Sequence, residues 1–157
     1  MYISLKSGTA HKTRQHSTAG CLHYRVLADS SQQLYITITG NDDGGYYSKE
    51  IVSFEKIELP KEPFTSKIFK TAFVGKSTNN AGFLAAILKA EGLIAPVEDA
   101  VHKYRALPNL SDWKKRMLAL ADKAEPYDPV NDNLSDAEIE LLQRSTNDKP
   151  KPKRGKS

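Results

Sequence analysis

Apolar and polar positions alternate in two short stretches of the first third of the chain. Leu22, Tyr24 and Val26 alternate with His23, Arg25 and Leu27, and Leu34, Ile36 and Ile38 alternate with Tyr35, Thr37 and Thr39. A period of two sends each set to opposite faces of an extended strand, so both stretches predict half-buried strands. Asp29, Ser30 and Ser31 lie between them and predict a turn, which makes an antiparallel hairpin the simplest connection. Tyr2, Ile3 and Leu5 predict an opening strand. Residues 6–20 hold almost no large apolar side chain and predict a long polar loop, of the kind that is functional or mobile. The run Gly40, Asn41, Asp42, Asp43, Gly44, Gly45 predicts a tight turn, with a third strand expected from Tyr46 to Ile57.

Beyond Ile57 the period lengthens. Two prolines between Leu59 and Pro63 break the pattern, and Ile68, Phe69, Ala72 and Phe73 suit a helix as well as a short strand, which leaves 64–74 open. Asn79 or Asn80 caps a predicted helix to Glu91, with Phe83, Leu84, Ile87 and Leu88 on one face and Gly92 as its stop. Pro96 suits a first helical position, Glu98 and Asp99 its first turn, and His102, Lys103 and Arg105 its last. A further helix is expected over that span, with Val97, Val101 and Tyr104 as its apolar side. Ser111 caps a predicted helix to about Ala124, in which Trp113, Met117, Leu120 and Ala124 recur at helical spacing and Trp113 belongs to the core. Pro126 and Pro129 enclose a polar linker, and Ser135 with Glu138 forms a capping box for a short last helix ending near Arg144.

These elements predict an α+β fold: an N-terminal antiparallel β-meander, or a small partly open barrel, packed by C-terminal α-helices. Strands over about 2–57 and helices over about 79–124 form one domain, 1–125, followed by a linker and short helix over 126–146. From Asn147 the chain has no apolar side chain, so 147–157 is expected to be a disordered basic tail.

Composition narrows the class. A chain of 157 residues with 39% hydrophobic and 27% charged residues is of single-domain size and globular character. No apolar run approaches the roughly 20 residues of a membrane helix, and the N-terminus lacks a secretory pattern. The single cysteine, Cys21, fits a reducing compartment, so a cytoplasmic location is expected. The net charge of +4 conceals blocks of alternating sign: +4 over 1–28, −4 over 29–66, +5 over 67–116, −6 over 117–148 and +5 over the last nine residues. Such blocks pair with one another or with a partner of opposite sign.

Catalytic motifs fail on their own requirements. Gly75, Lys76, Ser77 and Thr78 resemble the end of a phosphate-binding loop, but Lys70 stands where that loop needs its first glycine. His11, His16, Cys21 and His23 carry metal-ligand atoms, and Cys21 and His23 share one face of a strand, yet the spacing matches no paired zinc site. As a Cys/His nucleophile pair they have no visible orienting residue. Asn41, Asp42 and Asp43 lack the alternating carboxylates of a calcium loop. The chain therefore reads as noncatalytic, with no cofactor and no metal.

The expected partner is nucleic acid. Small sheets that bind single strands stack bases on exposed aromatic rings while cations line the backbone path. Lys12, Arg14, His23 and Arg25 form a basic early segment, and Tyr24, Tyr35, Tyr46 and Tyr47 supply rings. Lys114, Lys115 and Arg116 add a cluster beside Trp113, and Lys149, Lys151, Lys153, Arg154 and Lys156 add a basic tail. The arrangement is similar in outline to small nucleic-acid-binding folds. The alternative is a protein-interaction module or an accessory or inhibitory factor, docking through a sheet edge or through Ile139, Leu141 and Leu142, with the acidic residues of 117–148 facing a basic partner.

Overall fold

A computed structural model describes residues 2–11, 20–42, 45–77, 79–100 and 102–128. They are α+β. Strands β1 (Tyr2–His11), β2 (Cys21–Asp29), β3 (Leu34–Asn41) and β4 (Ile51–Ser53) form a consecutive antiparallel meander, and β8 (Glu125–Tyr127) adds to the far side of β1. The sheet order is β4-β3-β2-β1-β8 and the sheet stays open, so the meander is found and the barrel is not. A second sheet, β5-β7-β6, is built from β5 (Phe64–Thr65), β6 (Ile94–Pro96) and β7 (Lys103–Ala106). Helices α1 (Asn79–Ala90) and α2 (Leu110–Leu118) supply the layer that the apolar sheet face requires. These elements lie in one compact unit, Met1–Tyr127. The short helix expected after Ser135, the basic tail and most of the expected linker lie outside the described residues, although Pro126 itself sits within β8.

Asp29 closes the β2–β3 hairpin by the local chemistry that its type allows. One carboxylate oxygen accepts from the Ser31 and Gln33 N–H groups at 2.9 and 3.0 Å, and the other from the Tyr35 hydroxyl at 2.7 Å. The period-two reading then holds: Leu22, Tyr24, Val26, Ala28, Leu34, Ile36 and Ile38 are all buried in the main core.

The described part of the expected polar loop over 6–20 is, apart from Gly20, strand instead. Residues Lys6–His11 continue β1 and pair with β2 as far as His11 opposite Cys21. Two features hid this. A bulge between Ser4 and Lys6 breaks the alternation, so that Leu5 and Lys6 both turn toward the core. Beyond it the inward positions are Lys6, Gly8 and Ala10, which carry no large apolar signal. Gly8 is needed there, because a Cβ would lie 2.5 Å from the Tyr24 ring and hydroxyl. Residues 12–19, which include Lys12 and Arg14, lie outside the described residues.

Helix α1 ends as predicted. Leu93 N–H reaches the Leu88 carbonyl at 2.9 Å and Gly92 N–H the Lys89 carbonyl at 3.0 Å, with Gly92 at φ 78°. This Schellman turn puts Glu91 at the C-cap. Three other expectations are corrected. The expected third strand is only Ile51–Ser53, followed by a 3₁₀ turn at Phe54–Lys56 whose Phe54 stacks on Trp113 with ring centres 4.8 Å apart. The helix expected over 96–105 is a β6–β7 hairpin: Tyr104 is buried opposite Phe64 while Lys103 and Arg105 face solvent, a period of two. His102, at φ 67°, stands where no helix continues. The helix over 111–124 starts after Asn109 and stops at Leu118, with a 3₁₀ turn at Ala121–Lys123. The undecided segment resolves into β5 and a 3₁₀ stretch, Ser66–Ala72.

Candidate nucleic-acid interface

Strand pleating sends the odd-numbered residues of β2 away from the helices. Cys21, His23 and Arg25 therefore share the outer sheet face with Ser7, Thr9 and His11 of β1, their partners in register. At one end of this face Tyr2 and Tyr35 pack edge to face at 5.1 Å, beside the fully buried Leu27 and the buried Tyr127. At the other end the face is open and polar. A groove of about 280 Å³ runs there, lined by Ser7, Thr9, His23, Arg25 and Thr39 together with Gly8 and Tyr24.

Arg25 stands between the two ends. Its guanidinium lies 5.8 Å from the Tyr127 ring centre and donates to Ser4 Oγ at 3.0 Å. One of its five N–H donors is thus committed. His23 Nε2 meets Asp42 Oδ1 at 2.6 Å, and Asp42 Oδ2 accepts from the Cys21 N–H at 3.0 Å, which holds the imidazole across Gly40. Thr39 reaches the groove because β3 carries one extra residue opposite the His23–Tyr24 step.

The tyrosines divide. Tyr24 points inward and is buried, so it offers no stacking surface. The Tyr35 hydroxyl is bound to Asp29, which pushes its pKa up to about 12, and its ring is held against Tyr2. The same bond holds the Asp29 carboxyl below its usual range. Tyr47 is half-buried against the core and donates to the Thr39 carbonyl at 3.2 Å. Tyr46 is 60% exposed and presents a ring to solvent. Lys114, Lys115 and Arg116 lie on α2, in the helical layer, and so are not joined with His23 and Arg25 on the outer face. Lys12, Arg14, Lys151, Lys153 and Arg154 lie outside the described residues.

Two motif readings meet direct geometry. The Val74 and Gly75 N–H groups, where a phosphate-binding loop would cradle its ligand, both donate to the Glu50 carboxylate at 2.8 Å. An internal anion occupies those donors. Cys21 Sγ lies 3.6 Å from His11 Nδ1, whereas His23 turns to Asp42, and no described cluster of three His, Cys, Asp or Glu side chains is arranged to hold a metal.

Sequence reasoning missed the polar centre on the inner face. The Glu91 side chain is 2% exposed, yet it accepts from Lys6 Nζ at 2.9 and 3.0 Å, from Trp113 Nε1 at 2.9 Å, and from the Tyr24 hydroxyl in a short bond. Burial alone raises a carboxyl pKa, but these donors and the Lys6 charge outweigh it and hold Glu91 below its usual range. Burial, with the adjoining carboxylate, pushes the Tyr24 hydroxyl up. A lone glutamate at a helix end gave no sign of this, although a lysine alternating with small residues on β1 was a faint one.

The fold and this face define an open-sheet α+β protein with a polar groove and a matched internal ion pair. No protein-family model, curated protein or solved structure matches the chain. No helix among the described residues is long and apolar enough to cross a membrane.

Proposed function

We propose that this chain is a noncatalytic binding protein that holds single-stranded nucleic acid across the outer face of its large sheet. The observation that carries the reading is the groove in which Ser7, Thr9, His23, Arg25 and Thr39 converge. Residues two apart on a strand are spaced by roughly 7 Å, so hydroxyl and cationic donors recur along the groove in a row suited to successive phosphate and sugar oxygens. Tyr46 adds an exposed ring on which a base can stack. Sequence information is then slight and salt dependence strong, because cations that neutralise phosphates release counterions.

The test is fluorescence anisotropy with labelled single-stranded DNA and RNA over a salt series. It compares the full chain, Arg25→Ala, Tyr46→Ala and a chain ending at Asp128. Arg25→Ala is expected to weaken binding about tenfold and to flatten the salt slope by roughly one contact. Tyr46→Ala is expected to cost about 1–3 kcal/mol if one base stacks there. Binding that disappears with the C-terminal segment and ignores both substitutions defeats the proposal.

A further inference from the structure

The end of the 3₁₀ stretch and the loop after it, residues 70–77, share no lining residue with the sheet groove. They border a concavity of about 340 Å³ lined by Lys70, Thr71, Phe73, Val74, Lys76 and Ser77, with Gly75 between them. Val74 is 80% exposed, more than the other exposed large apolar residues Tyr46 and Leu120. Its exposure is built in, because the Glu50 carboxylate clasps the Val74 and Gly75 N–H groups at 2.8 Å each, while Phe73 packs against the core. A pinned loop cannot fold its valine back to escape water. The Lys70 and Lys76 side chains are exposed and, among the described residues, make no hydrogen bond or ion pair.

From this we infer that the loop is a docking site for a partner protein's segment carrying an apolar side chain between acidic residues. An aliphatic side chain held in solvent gains chiefly from apolar contact that removes it from water. The unpaired lysines on either side of it match carboxylates that flank such an anchor. A nucleic-acid strand would satisfy the lysines, but its bases stack on aromatic rings and the one ring lining this concavity, Phe73, packs against the core, so an aliphatic anchor on a peptide fits better than a base. Glu50 already fills the Val74 and Gly75 amide donors, so the incoming acids meet the lysine side chains rather than those backbone groups. The inference is independent of the sheet-face proposal, since Lys70 and Lys76 do not line that groove.

The experiment is random-peptide phage display on the immobilised full chain, followed by affinity measurement with a synthetic copy of the most enriched peptide. Enriched peptides are expected to place Leu, Ile or Phe between Asp or Glu residues. Val74→Asp, and separately Lys70→Glu with Lys76→Glu, are each expected to weaken that peptide at least about tenfold, while Lys115→Glu leaves it unchanged. Circular dichroism confirms folding, which these exposed positions should not disturb. Peptides without acids, or peptides that bind all variants equally, overturn the inference. So does a double lysine variant that weakens only single-stranded oligonucleotide binding.

Discussion

Neighbouring residues of β2 carry polar groups into opposite settings. Tyr24 turns inward to a glutamate whose side chain is 2% exposed, while His23 and Arg25 turn outward to partners such as Asp42, whose side chain is 48% exposed. The inner group is a matched set: one buried carboxylate and three donors, of which the Lys6 ammonium is also the counter-charge and keeps its side chain 39% exposed. There a missing partner leaves another group buried and unpaired, which is costly. At the open end of the outer face, around His23 and Asp42, water can replace a lost partner, so polar groups there contribute little to stability and remain available for a ligand. The contrast separates residues that maintain the architecture from residues free to serve binding.

The largest expected effect tests the inner set. Glu91→Ala strands the buried Tyr24 hydroxyl and Trp113 N–H and removes the counter-charge of the part-exposed Lys6, and is expected to lower unfolding free energy by about 2–5 kcal/mol in urea titrations. Its acid behaviour follows from the same bonds. Because the folded-state pKa of Glu91 lies below its ordinary value of 4.5, its contribution is complete above that pH and is lost as the pH falls toward the folded pKa. Wild type should therefore lose stability with acid below about pH 4.5 more steeply than Glu91→Gln. Equal slopes would mean that the carboxylate is not specially held.

Next in size is Gly8→Ala. The added Cβ meets the Tyr24 ring, and overpacking of this kind costs about 1–3 kcal/mol, measurable as a lower thermal midpoint. A neutral result would show that Tyr24 can withdraw from Glu91 without penalty. Smallest is Arg25→Ala, where a part-buried hydrogen bond to Ser4 and a cation–ring contact are lost but the hydroxyl left behind is neutral. Its stability should stay within about 1 kcal/mol of wild type even as oligonucleotide affinity falls. Comparable stability losses at Arg25 and Glu91 would erase the distinction between the two faces.

Much of the fold was legible wherever large side chains repeat at a regular interval. Leu22–Val26 and Leu34–Ile38 announce strands, and the Leu84–Leu88 face with Gly92 announces α1 and its stop. The second half of β1 was illegible because its inward residues are Lys6, Gly8 and Ala10, selected for what they make room for rather than for what they bury. The β6–β7 hairpin was misread because Pro96, Glu98, Asp99 and Arg105 obey local helix rules. Pairing of Tyr104 with Phe64, remote in sequence, overrode them. On the outer face, period two alone put His23 and Arg25 on one side. It could not show that Tyr35 would be occupied by Asp29 and Tyr2.

By itself, then, the sequence determined the α+β class, the face each core strand buries and the end of α1, since these depend on repeating side-chain character over a few residues. Tertiary structure alone decided which polar groups are sealed and which are free. Lys6 and Glu91 are 85 positions apart, and Tyr24 and Glu91 are 67 apart. No local pattern encodes such a meeting, because whether a charge is buried depends on everything that packs around it.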